Sequence, residues 1–166
     1  MANIPVKANK STVGGANDKV YTPENIAKQL IAKLPIKSTD TILDPCKGGG
    51  AFYNNYPPEN TKYYCEIDEG KDFFDFNTKV DWIISNPPYS IYDKFVEHCF
   101  ELSDNVCLLV PFSKISNSMG RIKQIKKFGG IKKIWFVPAS KCGFPFGFPC
   151  AFVWFKKNCE DNWEIV

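Results

Sequence analysis

The chain has a single histidine, His98, and its seven cysteines form no C-x-x-C pair. Tetrahedral zinc sites draw on closely spaced thiolates and imidazoles, so this inventory argues against a metal centre. Long apolar runs are missing as well. None approaches the ~20 residues that a membrane helix needs. The first residues, Met1-Ala2-Asn3-Ile4-Pro5-Val6-Lys7, contain no apolar signal core. The expectation is a cytoplasmic protein with no membrane partner. In that reducing setting the cysteines inside apolar stretches pack as small hydrophobes. A strong charge of either sign is also absent. The net charge is +3 and the isoelectric point about 8.4, a balance that permits nucleic-acid binding without demanding it.

What remains is a soluble, core-forming composition: 166 residues, 44% of them hydrophobic, with a mean hydropathy of -0.25. That length suits one domain with a real core. Residues 1–20 are polar and rich in Gly, Asn and Lys, and are expected to be a flexible arm. The domain proper is then 21–166. Tyr21-Thr22-Pro23 opens a helix, with Thr22 as N-cap and Pro23 preset for the first turn. Ile26, Leu30, Ile31 and Leu34 mark its buried face. Strands are expected at 41–45, 62–66, 80–84, 105–111, 131–137 and 150–155. Helices are expected over 91–102, with Phe95, Val96, Cys99 and Leu102 inward, and over 115–128, basic on its outer face.

Two loops stand out. After the first strand comes Asp44-Pro45-Cys46-Lys47-Gly48-Gly49-Gly50-Ala51-Phe52. Glycines let a backbone approach a ligand closely, and a following helix start offers free N–H groups. The loop lacks the third glycine of the dinucleotide fingerprint and the Gly-Lys-Ser/Thr of a phosphate loop. Glu66, with Asp68 as the second choice, stands at the tip of the next strand, where a carboxylate can accept from ribose hydroxyls. The second loop is Ser85-Asn86-Pro87-Pro88-Tyr89, at the end of the apolar run Val80–Ile84. Two prolines fix two φ angles and remove two donors. The result is a stiff corner with free carbonyls, an amide on one side and an aromatic ring on the other. Such a corner suits a planar group bearing an amine.

Asn86-Pro87-Pro88-Tyr89 resembles the catalytic tetrapeptide of S-adenosylmethionine-dependent amino-methyltransferases, above all those that methylate adenine N6 in DNA. The spacing of Asp44, Pro45, Gly48, Gly50 and Phe52 is similar to the cofactor loop of the same enzymes. The helix at Tyr21-Thr22 precedes both, as in their gamma-type motif order. The resemblance covers about residues 20–155 and implies a Rossmann-like α/β fold. Its central sheet would be mostly parallel, with an antiparallel C-terminal strand and helices on both faces. It also implies that S-adenosylmethionine is held by Tyr21, Thr22, Asp44, Pro45, Gly48, Gly50, Phe52, Glu66, Asp72, Phe73, Asn86 and Phe112. Asp72 would accept from the cofactor's adenine and Phe73 would pack on it, although Phe73, Phe74 and Phe76 also read as core. Too few residues separate Glu66 from Asp72 for a full helix and a further strand, so the sheet should be short on that edge.

By the same resemblance, Asn86 and the Pro87 carbonyl accept the two hydrogens of the target amine, freeing its lone pair toward the methyl. Tyr89 stacks on a base turned out of the duplex. Pro88, Phe144 and Phe146 are the further candidates to hold that base, the last two as a second aromatic wall or simply as a hydrophobic hairpin tip. Lys114, Arg121 and Lys123, in the basic C-terminal half, are the candidates for the nucleic-acid backbone. The alternatives are RNA adenine, cytosine N4, a protein glutamine amide, or a non-catalytic binding module that keeps the fold. No stretch is long enough for a target-recognition domain. Specificity would then be low, or come from the basic half, the Phe144–Phe148 loop, a partner specificity subunit or a homodimer.

Overall fold

The computed structural model describes residues 21–142, 147, 149–160 and 164–165. The expected arm at 1–20 and the candidate residues Phe144 and Phe146 lie outside that set. Six strands form one sheet: β1 (Thr41–Asp44), β2 (Thr61–Tyr64), β3 (Trp82–Ser85), β4 (Asn105–Pro111), β5 (Ile131–Val137) and β6 (Cys150–Lys156). Their order is β2-β1-β3-β4-β6-β5. The first four run parallel, and β6 lies antiparallel to both β4 and β5.

Period-two alternation on the central strands decides the layering. Ile42, Ile84, Cys107 and Leu109 face one side, where helix α1 (Glu24–Ile31) supplies Ile26, Ala27, Leu30 and Ile31. Leu43, Ile83, Leu108 and Val110 face the other side. They meet Phe95, Val96 and Cys99 of α2 (Tyr92–Leu102), Ile115 of α3 (Ser113–Ser116) and Ile125 of α4 (Met119–Phe128). Helices therefore cover both faces, as expected. The described cysteines form no disulfide, and Cys65, Cys99, Cys107, Cys142 and Cys150 are buried. None of the described helices is long and apolar enough to cross a membrane.

Two local expectations are corrected. Pro23, not Thr22, occupies the cap of α1, because the Thr22 hydroxyl is taken by the Asn86 amide instead. The helix expected over 115–128 is two helices. Asn117 ends the first, and the Ser118 hydroxyl accepts from the Arg121 N–H to start the second. A serine side chain competes for backbone donors in this way and favours helix starts over helix interiors. The turn after the glycine loop is only a 3-10 segment, Tyr53–Asn55, because Pro57-Pro58 stops it. Between β2 and β3 there are two more 3-10 turns, Ile67–Glu69 and Phe73–Asp75, and no strand beyond a single Glu66–Lys71 bridge. β2 is thus the sheet edge, as the short spacing implied.

The topology sets the site. From β1 the chain passes to one side for β2 and then crosses to the other side for β3. A crevice opens at the carboxyl ends of strands where such an order reverses. Both unusual loops leave the sheet there.

The core on the α1 side hinges on Phe152, which is fully buried, stacked 6.2 Å from Phe52 and tilted against Trp135 at 5.8 Å. Phe152→Ala should cost about 3–5 kcal/mol, read as a lowered denaturation midpoint at unchanged m-value. A loss under about 1 kcal/mol would mean that the site collapses around the gap.

Candidate active site

The two loops are joined by a buried hydrogen-bond link across the ends of β1 and β3. The Ser85 hydroxyl donates to Asp44 Oδ1 at 2.6 Å, and the Cys46 N–H donates to the same oxygen at 3.3 Å. The Cys46 thiol reaches Ser85 Oγ at 3.0 Å and the Asn86 backbone oxygen at 3.1 Å. Both Asp44 and Ser85 are 1% exposed. Burial raises the Asp44 carboxyl from 3.8 to about 7, against the lowering effect of the bonds from Ser85 and Cys46. Burial, and then the neighbouring Asp44, pushes the Cys46 thiol well above its ordinary range, so it remains a protonated donor.

The glycine loop is shaped for close approach. Gly48 and Gly50 have φ of 51° and 83°, in the left-handed region that suits glycine. A Cβ on Gly50 would stand 2.8 Å from Asn54 Nδ2, and one on Gly49 would stand 3.3 Å from the Tyr21 ring. The tip of β2 grips this loop. The Gly48 N–H donates to Glu66 Oε2 at 2.6 Å, and the Asp68 N–H donates to Glu66 Oε1 at 3.2 Å.

A cavity of about 550 Å³ lies over this arrangement. Pro45, Cys46, Gly48 and Gly49 line it from the loop, and Glu66, Asp72 and Phe73 from the β2 side. Tyr21, Thr22 and Glu24 line it from the start of α1, and Asn86 and Pro88 from the corner after β3. Phe52 contributes from the loop's far end. The residue range that carries the amide thus shares one cavity with the glycine turn. Asp72 accepts from the Phe74 N–H at 3.0 Å, and Phe73 packs 4.7 Å from Phe95, which makes Phe73 both core and cavity wall.

Among the described residues, five of the candidates for cofactor, catalysis or target base are not in the lining. Asp44 lies beneath it, committed to Ser85 and Cys46. Gly50 is buried at the turn. Pro87 is buried and offers backbone only. Tyr89 is turned inward: its phenol donates to Asn86 Oδ1 at 2.5 Å and reaches the Leu109 carbonyl at 3.4 Å. Phe112 follows β4 toward the antiparallel pair, where its N–H bonds Pro149 O and its ring meets Phe136 at 5.2 Å. Sequence reasoning in turn missed Cys46, Lys47, Gly49, Phe74, Ile91 and Phe95 as cavity residues. Cys46, Lys47 and Gly49 stand inside the recognised loop and could have been included. Ile91 and Phe95 carry only the signal of a helix's inner face. Lys123 is exposed on α4, whereas Lys114 and Arg121 make internal hydrogen bonds. Among the described residues no group of three His, Cys, Asp or Glu could hold a metal ion.

No protein-family profile matches the chain, and no curated protein matches it. Solved structures do match, and they show a Rossmann-like α/β fold that this chain shares with several methyltransferases. One is a putative RNA methyltransferase from Pyrococcus horikoshii, 18% identical, with a TM-score of 0.61 over 85% of this chain and 87% of that one. Another is a putative class I S-adenosylmethionine-dependent methyltransferase from Listeria monocytogenes, 16% identical, with a TM-score of 0.64 over 90% of this chain and 64% of that one. A third is the M protein of the type I restriction enzyme EcoKI, 12% identical, with a TM-score of 0.65 over 82% of this chain and 44% of that one. The chain therefore spans most of the first but under two thirds of the other two.

The raised Asp44 carboxyl gives a pH test. Unfolded, Asp44 ionises near 3.8; folded, near 7. Between those values the unfolded chain holds fewer protons, so this group makes stability fall as pH rises. The melting temperature of the wild type minus that of Asp44→Asn should therefore drop between about pH 4 and about pH 7. A pH-independent difference would show that Asp44 is already ionised in the fold at acid pH.

Proposed function

We propose that this protein transfers the methyl group of S-adenosylmethionine to the exocyclic N6 amine of adenine in DNA. The observation that carries the reading is the single cavity lined at once by Gly48, Gly49, Glu66 and Asp72 and by Asn86 and Pro88. The donor set fits the cofactor. Glu66 and Asp72 are acceptors for hydroxyl and amino groups, Phe73 offers an aromatic wall, and a side chain at Gly49 would crowd Tyr21. When bound, the cofactor supplies an electrophilic methyl on a sulfonium.

The chain's own part is positioning. An adenine amine is a poor nucleophile while its lone pair is delocalised into the ring. Asn86 Oδ1 and the Pro87 carbonyl accept its hydrogens and favour the geometry in which the lone pair is free. In the free protein the Tyr89 phenol donates to that same Asn86 oxygen. Entry of the amine exchanges one donor for another, so the acceptor stays satisfied at both stages. The exchange also frees the Tyr89 ring to turn onto the base, beside Pro88. The exposed Phe74 at the cavity mouth adds apolar surface there. Lys123 contributes positive charge for the nucleic-acid backbone.

One structural neighbour is named for RNA methylation and another for a restriction enzyme, so both polymers belong in the assay. Tritiated-methyl transfer onto DNA, RNA and protein, followed by nucleoside analysis, should yield N6-methyladenine in DNA. Label in RNA alone, or on protein glutamine, overturns the substrate. Failure to bind S-adenosylmethionine in isothermal titration overturns the enzyme reading altogether. Asn86→Ala should lower kcat by at least ~100-fold, while the Kd for the cofactor changes less than about tenfold. Near-normal turnover in that variant would refute the mechanism.

A further inference from the structure

We propose that Lys114 and Arg121 are positioning residues that hold the Asn86–Tyr89 corner, and are not contacts to a nucleic-acid backbone. The turnover and salt-slope readouts below rest on the proposed function; the exchange readout does not. The Lys114 ammonium donates to the Tyr89 backbone carbonyl at 2.9 Å, in a half-buried setting. Tyr89 is thereby pinned at both ends, its carbonyl to Lys114 and its phenol to Asn86 Oδ1 at 2.5 Å. Any drift of the Tyr89 backbone moves the phenol, and with it the amide that the corner presents to the cavity.

Lys114 is itself held. Arg121 Nη1 donates to the Lys114 carbonyl at 3.3 Å. The same guanidinium engages Asp93 with both arms, Nε to Oδ1 at 2.5 Å and Nη2 to Oδ2 at 3.1 Å. It also lies 5.4 Å from the centre of the buried Tyr92 ring. A forked pair of this kind fixes orientation as well as distance. The Arg121 hydrogen bond holds the Asp93 carboxyl below its usual range, so the pair is ionised near neutral pH. Asp93 stands in the first turn of α2, which the corner feeds directly. Arg121 therefore ties α4 to the start of α2 and to α3, and Lys114 on α3 reaches back to the residue that begins the turn before α2. The run closes on itself around the corner.

A lysine or arginine held in this way is half-buried and oriented toward the protein, which leaves it poorly placed to neutralise a phosphate. Lys123 and Lys127 are exposed on α4 and carry no such commitment among the described residues. The phosphate-facing role falls to them.

Three variants and three measurements decide the matter. The variants are Lys114→Met, Asp93→Asn and Lys123→Met. The measurements are amide hydrogen exchange of the peptide spanning 86–92 in the free protein, the slope of log Kd for duplex DNA against log salt, and kcat for methyl transfer. Lys114→Met should speed exchange across 86–92 and lower kcat about tenfold or more, with an unchanged salt slope. Asp93→Asn should move exchange and kcat the same way but less, again with an unchanged slope. It also serves if Lys114→Met fails to fold. Lys123→Met should do the reverse, leaving exchange alone and making the slope shallower by about one. A slope that falls by about one in Lys114→Met with exchange unchanged makes Lys114 a phosphate contact and overturns the proposal. Unchanged exchange together with an unchanged slope overturns it too. The exchange measurement needs no substrate. A protein that methylates nothing refutes the proposed activity while leaving the pinning of the corner to be judged by itself.

Discussion

The site depends on one buried contact, the hydroxyl of Ser85 against the carboxyl of Asp44. These residues end adjacent parallel strands, and each is followed at once by one of the two loops that line the cavity. Through Cys46 the contact extends to the backbone of Asn86. A glycine loop and a diproline corner are each stiff only locally. What fixes one against the other is this polar link in an otherwise apolar sheet end. Buried polar groups of this kind are stabilising only when fully partnered. That explains why the carboxyl can sit almost wholly buried, near the middle of its titration at neutral pH.

Around that link the structure spends cations on architecture. Lys47 pairs with Glu69 and stands over the Tyr64 ring, and Lys71 lies over the same ring. Lys114 and Arg121 brace the corner from the opposite side. A mildly basic chain can therefore have fewer free positive charges near its cavity than its composition implies. Exposed cations remain on the outer face of α4, away from the glycine loop.

The two-sided core and the order of elements were legible in the sequence because period-two and period-3.6 burial leave direct marks on residue order. Ile42/Leu43, Ile83/Ile84 and Leu108/Leu109 are neighbours in sequence that part to opposite faces. The cavity's frame was legible for another reason. Gly48, Asn86 and Glu66 belong to short motifs whose chemistry is local. What the sequence did not show clusters where two distant segments compete for one polar group. Thr22 has the composition of an N-cap, yet its hydroxyl belongs to Asn86, 64 positions away. Lys114 and Arg121 have the composition of phosphate ligands, yet their partners are a carbonyl and a carboxylate on other elements. Tyr89 reads as a stacking ring, and in the free protein its phenol completes the amide instead.

By itself the sequence determined that strands would end in a glycine turn and a proline corner, because φ restriction, missing N–H donors and tolerance of positive φ are properties of single residues. That these would lie at one end of a mostly parallel sheet was what the resemblance of the two motifs implied, and the order β2-β1-β3-β4-β6-β5 agrees with it. Only the tertiary structure decided which polar atoms meet across that end. Asp44 became support and not lining, Phe112 left the cavity for the antiparallel pair, and two basic side chains turned inward. Hydrogen bonds between residues tens of positions apart are chosen by the packing that brings them within 3 Å or so of each other, and no local pattern in the chain encodes that choice.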